Sequence, residues 1–178
     1  MTAVLLPEVE FAAALAALPL VSVDWVLSNP NGAVLTGLPL NAPARGSWFT
    51  PGGRVRKGEP LAEALVRVAV DELGASAASL LNGGWLGRAQ LMGAWDHFYG
   101  DSAFSDAAAT HYVNLPHWLA LSWCEAAALA SALPIGDQHS SWRWVSPGSP
   151  GVAVHAHAKP YLGWVAAARH NAAKGLTA

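Results

Sequence analysis

Pro51-Gly52-Gly53-Arg54-Val55-Arg56-Lys57-Gly58-Glu59, running on to Glu72-Leu73-Gly74, is the stretch that decides the fold. Its two adjacent glycines predict a tight turn and let backbone carbonyls approach a ligand closely. A short, basic, strand-like segment follows. Pro60 stands where the first turn of a helix tolerates proline. From Leu61 to Leu73 the apolar residues recur at helical spacing, and Gly74 supplies the stop. Leu61, Leu65 and Val68 share one face of that helix, and Glu72 falls on it one turn beyond Val68. Glu63, Arg67 and Asp71 form a separate polar row suited to pairing along the helix. A carboxylate on an inward face is costly without a cation or donor to meet it. Glu72 therefore calls for a partner, and a hard metal ion beside the Gly52-Gly53 carbonyls fits that need.

The spacing of this stretch is specific. Gly53, five residues, Glu59, seven residues, Arg67, then Asp71-Glu72-Leu73-Gly74 resembles the Nudix box, G-x5-E-x7-R-E-U-x-E-E-x-G-U. Two positions depart from it. Val68 stands where the first glutamate of the usual run would be, and Asp71 replaces the next. Those carboxylates normally help to hold divalent cations, so their loss implies fewer metals, with Glu72 as the main side-chain ligand.

The 178 residues suffice for one domain with a sizeable core. At 53% hydrophobic and 12% charged, the chain is expected to be globular rather than disordered. A net charge of -2 argues against nucleic acid or an anionic membrane as a general partner. Four of the ten basic residues (Arg45, Arg54, Arg56 and Lys57) cluster around the glycines, which suits a local anion site, although Arg56 and Lys57 read rather as solvated loop residues. The lone Cys124 excludes an intramolecular disulfide and reads as a small buried hydrophobe. The N-terminal segment lacks the features of a signal peptide, and Ala12 to Pro19 is too short to span a membrane, so a cytoplasmic protein is expected.

Pro7 to Leu18 reads as a helix carrying Phe11, whose ring serves either a nucleobase or the core. Leu20 to Leu27 reads as a buried strand interrupted by Asp24, which implies either a buried hydrogen-bond network or a site. Ser28 to Gly32 is a turn and Ala33 to Leu38 the returning strand of a hairpin. Ala75 to Gly84 reads as a loop and Trp85 to Tyr99 as a strand or bent strand pair. Ala107 to Trp123 reads as a long strand, Glu125 to Leu133 as a short helix, Trp142 to Val145 as a strand, and Lys159 to Lys174 as a final helix. This order predicts a single α/β domain over residues 1–178, with a mixed sheet between helices.

A second chemically loaded stretch is Asp137-Gln138-His139, read as a loop before a strand. An imidazole titrating near neutrality suits a general base. His155-x-His157 has loose spacing for a metal pair and reads as structural.

Together these stretches resemble one subgroup of the Nudix superfamily, the GDP-mannose mannosyl hydrolases. The likeness runs from about Phe11 to Tyr161. It is carried by Pro19 to Asp24, Trp48 to Val55, Trp95 to Tyr99, His111 to Val113, Asp137 to His139 and Val154 to Ala156. The resemblance implies a Nudix-type α/β/α sandwich that hydrolyses GDP-mannose or GDP-glucose to GDP and free sugar. Water would attack and invert the anomeric carbon. Carried over residue by residue, the Gly52 carbonyl, Glu72 and Gln138 would hold one Mg2+, for which Mn2+ may substitute, on the diphosphate. His139 would deprotonate water, and Asp24 and His97 would contact the sugar and reacting groups. Arg54 and Tyr112 would hold the diphosphate, and Phe11 would lie near the base. Gly53, Glu59, Arg67 and Gly74 would shape the box, with Arg67 anchoring its helix through ion pairs. The resemblance also implies a homodimer.

One further departure affects the chemistry. Between Gly37 and Asn41 the subgroup has a Lys-Arg pair whose arginine assists the leaving diphosphate, and this chain has Leu38-Pro39. Neither can donate a charge-assisted hydrogen bond. Losing a donor aimed at developing charge commonly costs about 10²–10³-fold in rate. Arg45 lies in the same loop as a possible replacement; otherwise the substrate differs or turnover is low. Two other readings stand beside this one. A Nudix pyrophosphatase would cut the P–O–P bond, but it would be expected to carry the full carboxylate set that Val68 interrupts. A nucleotide-sugar-binding module would need no water-activating base.

Overall fold

The computed structural model describes residues 7–40, 46–100 and 109–175. Four helices and seven strands follow one another as α1 (Glu8–Ala17), β1 (Leu20–Ser28), β2 (Val34–Pro39), β3 (Gly52–Arg54), α2 (Leu61–Leu80), β4 (Gln90–Leu91), β5 (Trp95–Tyr99), β6 (Thr110–Ala120), α3 (Trp123–Ala132), β7 (His139–Val145) and α4 (Lys159–Gly175).

β1 organises the sheet. It runs parallel to β6 along its whole length, with Leu20 opposite Tyr112 and Ser28 opposite Ala120. Its other edge is shared: Ser22 to Asp24 pair antiparallel with β3, and Ser28 meets Val34 of β2. β7 completes that side by pairing with β2, while β4 and β5 pair with the two halves of β6. Side chains alternate between the faces of a strand, and β1 is buried on both from Ser22 to Ser28. Val23, Trp25 and Leu27 enter a core with Leu65, Val68, Leu73 and Leu129 of α2 and α3. Val26 enters a second core with Tyr161, Leu162 and Val165 of α4. The result is the expected mixed sheet between helices.

Several local expectations are corrected. Gly52 and Gly53 lie in β3 rather than in a tight turn, and neither adopts positive φ. Their small size serves close packing instead: a Cβ at Gly52 would stand 2.0 Å from Asp24 Oδ1, and one at Gly53 would stand 3.0 Å from Val68 Cγ2. Gly74 does break helical geometry, with φ 79° and ψ 159°, but the chain resumes as helix to Leu80 and then a π-turn over Leu81–Trp85. The loop expected over 75–84 is thus largely helical, because Ala77, Ala78 and Leu81 still find core to bury against. Leu61 is exposed rather than inward-facing. α3 starts earlier than expected, at Trp123, where Ser122 and Glu125 form a reciprocal capping box. Cys124 lies in that exposed first turn and is itself exposed, not buried.

Candidate functional site

Three groups of side chains make up the candidate site. The first is a pair. His139 Nε2 lies 2.8 Å from Glu72 Oε2, joining residues 67 apart in the chain. His139 opens β7 rather than ending a loop, with Pro39 of β2 as its ladder partner. Its ring is 4% exposed, packs on Trp142 at 4.3 Å between centroids, and has its Nδ1 enclosed without a hydrogen-bond partner. The segment leading to it is braced at several points. Pro134 packs on Gly74, its carbonyl accepts from Trp142 Nε1 at 2.6 Å, and Gly136 N–H donates to the His139 carbonyl. Gln138 is exposed, and its backbone carbonyl accepts from Leu40 N–H.

The second group is a buried network around Asp24. Asn114 Nδ2 donates to Asp24 Oδ2 at 2.7 Å, Tyr161 Oη donates at 3.2 Å and Thr50 Oγ1 at 3.3 Å. Tyr161 Oη also lies 2.9 Å from His97 Nε2. Of the two possibilities the sequence leaves open for Asp24, the geometry is that of a network. Burial outweighs these donors and, with the charge of Glu72 nearby, holds the carboxyl up at about 7. Burial likewise holds His97 down at about 3, with His157 and His155 adding to the effect. His157 stacks on His97 at 4.4 Å and 15°, while its Nε2 contacts the Phe98 carbonyl. Among the described residues no three His, Cys, Asp or Glu side chains converge as a metal cage, and His155 and His157 sit in an aromatic wall instead.

The third group joins α1 to the sheet. The Arg54 guanidinium lies over the Phe11 ring at 4.5 Å, a cation–π contact. Burial lowers the Arg54 pKa, and the nearby Tyr112 phenol opposes that shift. Burial raises the Tyr112 phenol while Arg54 pulls it back. Arg54 pairs with Ser22, and Tyr112 is two residues from Asn114, so both share the sheet face that carries Asp24. Arg45 lies outside the described residues.

The box residues do structural work around this centre. Arg67 reaches Glu59 at 2.6 Å, Asp71 at 3.1 Å and the Arg54 carbonyl at 2.6 Å, tying α2 to β3. The hydrogen bond to Arg67 holds the Glu59 carboxyl below its usual range. Along β3, Pro51 and Val55 take the bonds to β1, so alternation turns the Gly52 carbonyl to the opposite edge, as it does that of Arg54. Glu72, the Gly52 carbonyl and the exposed Gln138 amide would offer a hard oxygen set, too small to cage an ion. It fits a Mg2+ that keeps several waters and takes phosphate oxygens from substrate.

The structure therefore brings Glu72 and His139 into contact and places Asp24, His97, Arg54 and Tyr112 on one sheet face. Sequence reasoning assigned no role to Asn114, Tyr161, Thr50 or Trp142. Asn114 left a signal, because asparagine is depleted inside strands. Tyr161 left little, since aromatic residues on an amphipathic helix usually serve the core.

A family model for the NUDIX domain matches residues 18–165. A protein of Haloferax volcanii, "Low-salt glycan biosynthesis protein Agl8", is 35% identical over 157 residues, covering 88% of each chain. Solved structures with the same fold include a MutT protein from Methanosarcina mazei (TM-score 0.58, 15% identity, covering 86% of this chain and 97% of that one). The NUDIX domain of Shewanella oneidensis NrtR, complexed with ADP ribose, gives a TM-score of 0.59 at 16% identity, covering 91% and 98%.

Proposed function

The chain belongs to the Nudix family and is a hydrolase, and from that premise we propose that it hydrolyses a nucleotide sugar of the GDP-mannose or GDP-glucose type at the anomeric carbon. The observation that carries this reading is the 2.8 Å contact between Glu72 and His139. Arg67 already ties the box helix to Glu59 and β3 without this histidine. The place of His139 beside the box carboxylate suits activation of water. The glycan biosynthesis named for the Haloferax volcanii relative supports a sugar-nucleotide substrate.

In the proposed reaction His139 Nε2 accepts a proton from water, and the water oxygen forms a bond to the anomeric carbon from the face opposite the diphosphate. The bond from that carbon to the diphosphate oxygen breaks, and its electron pair leaves with GDP. To accept a proton at Nε2 the ring must leave Glu72 and carry its own proton on Nδ1, so that the Nε2 lone pair faces water. Glu72, the Gly52 carbonyl and Gln138 would hold one Mg2+, which supplies charge stabilisation to the departing diphosphate. Hydrolases of this family generally work with such a divalent ion.

Arg54 and Tyr112 bind the diphosphate on the Asp24 face, and Phe11 lies beside the base. Asp24 and His97, both enclosed, orient the sugar-binding wall through Asn114 and Tyr161. Arg45 is the candidate to stand in for the cation lost at Leu38-Pro39. The pyrophosphatase alternative draws no support from position 68, where Val68 is 1% exposed and packs on Gly53. We further propose a cytoplasmic homodimer; α1 is mostly apolar yet leaves Val9 82% accessible, and Leu18 at its C-cap is 63% accessible.

A panel of nucleotide sugars with Mg2+, followed by NMR of the products, tests the reaction. Free sugar of inverted configuration with GDP supports it; sugar phosphate with GMP supports the pyrophosphatase instead.

A further inference from the structure

The geometry points to Gly37 as the positioning residue that seats the His139 ring and fixes which of its nitrogens faces Glu72. Glycine weakens a strand and needs a reason to stand inside one. Backbone conformation supplies none here, because Gly37 lies outside the positive-φ region. Hydrogen bonding supplies none either, because its N–H and C=O exchange bonds with Phe49 at 2.9 and 3.0 Å, as any residue's would.

The reason is the imidazole. A Cβ at position 37 would stand 2.3 Å from His139 Nδ1, 2.6 Å from Cγ and 2.8 Å from Cε1. These are the contacts of a ring lying flat on the Gly37 Cα. The ladder between β2 and β7 slips by one residue between Gly37 and Pro39, which carries His139 over Gly37. On its other sides the ring meets Glu72 and Trp142. Nδ1 therefore faces the strand, enclosed and without a partner, and Nε2 is the nitrogen left to the site.

Any side chain at position 37 would displace the ring toward Glu72 or rotate it. A misplacement of about 1 Å in a reacting group costs on the order of 10²-fold in rate. Gly37 touches no substrate in this scheme and acts only through His139. The inference rests on the reading of His139 as the base, although the packing relation can be measured without turnover.

The test is a double-mutant cycle of Gly37→Ala with His139→Ala, read by kcat, KM and Tm, together with ring 15N NMR of His139. Gly37→Ala is expected to lower kcat about 10²-fold while KM stays within about twofold. It should also lower Tm and shift the ring 15N signals of His139. In the His139→Ala background the same alanine should change neither kcat nor Tm. If Gly37→Ala alone does not fold, the double variant still decides, because it must fold and melt with His139→Ala. An unchanged kcat in Gly37→Ala, or an equal Tm loss in both backgrounds, overturns the role of Gly37. Full turnover in His139→Gln overturns the base and leaves the thermal cycle to judge Gly37 independently.

Discussion

At the residue scale, Asp24 and His97 are enclosed by the same network and titrate in opposite senses. Asp24 is raised from 3.8 to about 7, so its contribution is full below pH 3.8 and is lost as pH rises towards 7. His97 is lowered from 6.5 to about 3, so its contribution is full above pH 6.5 and is lost as pH falls towards 3. Between about pH 4 and 6.5 the two slopes, each about 1.4 kcal/mol per pH unit, oppose one another. Asp24→Asn should leave only the histidine slope, so that it loses stability on acidification relative to the parent. His97→Gln should gain it. Over two pH units each difference amounts to about 2–3 kcal/mol as an upper bound. Urea unfolding at pH 6.5 and 4.5 reads both, and parallel profiles for all three proteins would remove the account of the network. His139→Gln should lower kcat about 10²–10⁴-fold, the usual worth of a general base, with the fold intact by circular dichroism.

At the scale of elements, α2 carries the site because its kink and its ion pairs hold it in place. Gly74 adopts φ 79°, and a Cβ there would stand 3.2 Å from Pro134 Cγ. Gly74→Ala therefore strains the backbone by about 1–3 kcal/mol and pushes on the segment that delivers His139. The expected outcome is a drop in both stability and kcat, read by urea unfolding and steady-state kinetics; a loss of stability with unchanged kcat would separate the kink from the site. Arg67→Ala leaves the mostly enclosed Glu59 carboxylate without its guanidinium partner. It should cost about 1–3 kcal/mol. This helix was legible up to Gly74, because capping proline, apolar spacing and stop glycine all agreed. The helix beyond Gly74 was not, because a stop signal in sequence does not reveal that alanines further on will find a core. His139 was identifiable as a residue, but its placement in β7 was not. Pairing with Pro39 across a slipped ladder is a long-range event with no local pattern.

For the molecule as a whole, the layered α/β arrangement followed from the order of apolar segments, and the reading of Leu20 to Leu27 as a buried strand marked the centre of the sheet. The meeting of Glu72 with His139 was legible only through the resemblance to a family, since nothing in the local sequence links residues 67 apart. The network of Asp24, Asn114, Tyr161 and His97 draws on three strands and a helix, so one unexpected aspartate was its main visible trace. The proposed dimer belongs to this scale too. Sedimentation equilibrium should give twice the 18.5 kDa chain mass, and Val9→Lys should shift it towards the monomer. A monomer at all concentrations would remove the dimer.

The measurement that bears most directly on the central claim is turnover of GDP-mannose or GDP-glucose with Mg2+ in 18O-labelled water, with mass spectrometry of the products. Attack at the anomeric carbon, primed by His139 beside Glu72, predicts the label in the free sugar and none in GDP. Label in a phosphate, with GMP and a sugar phosphate as products, would contradict it.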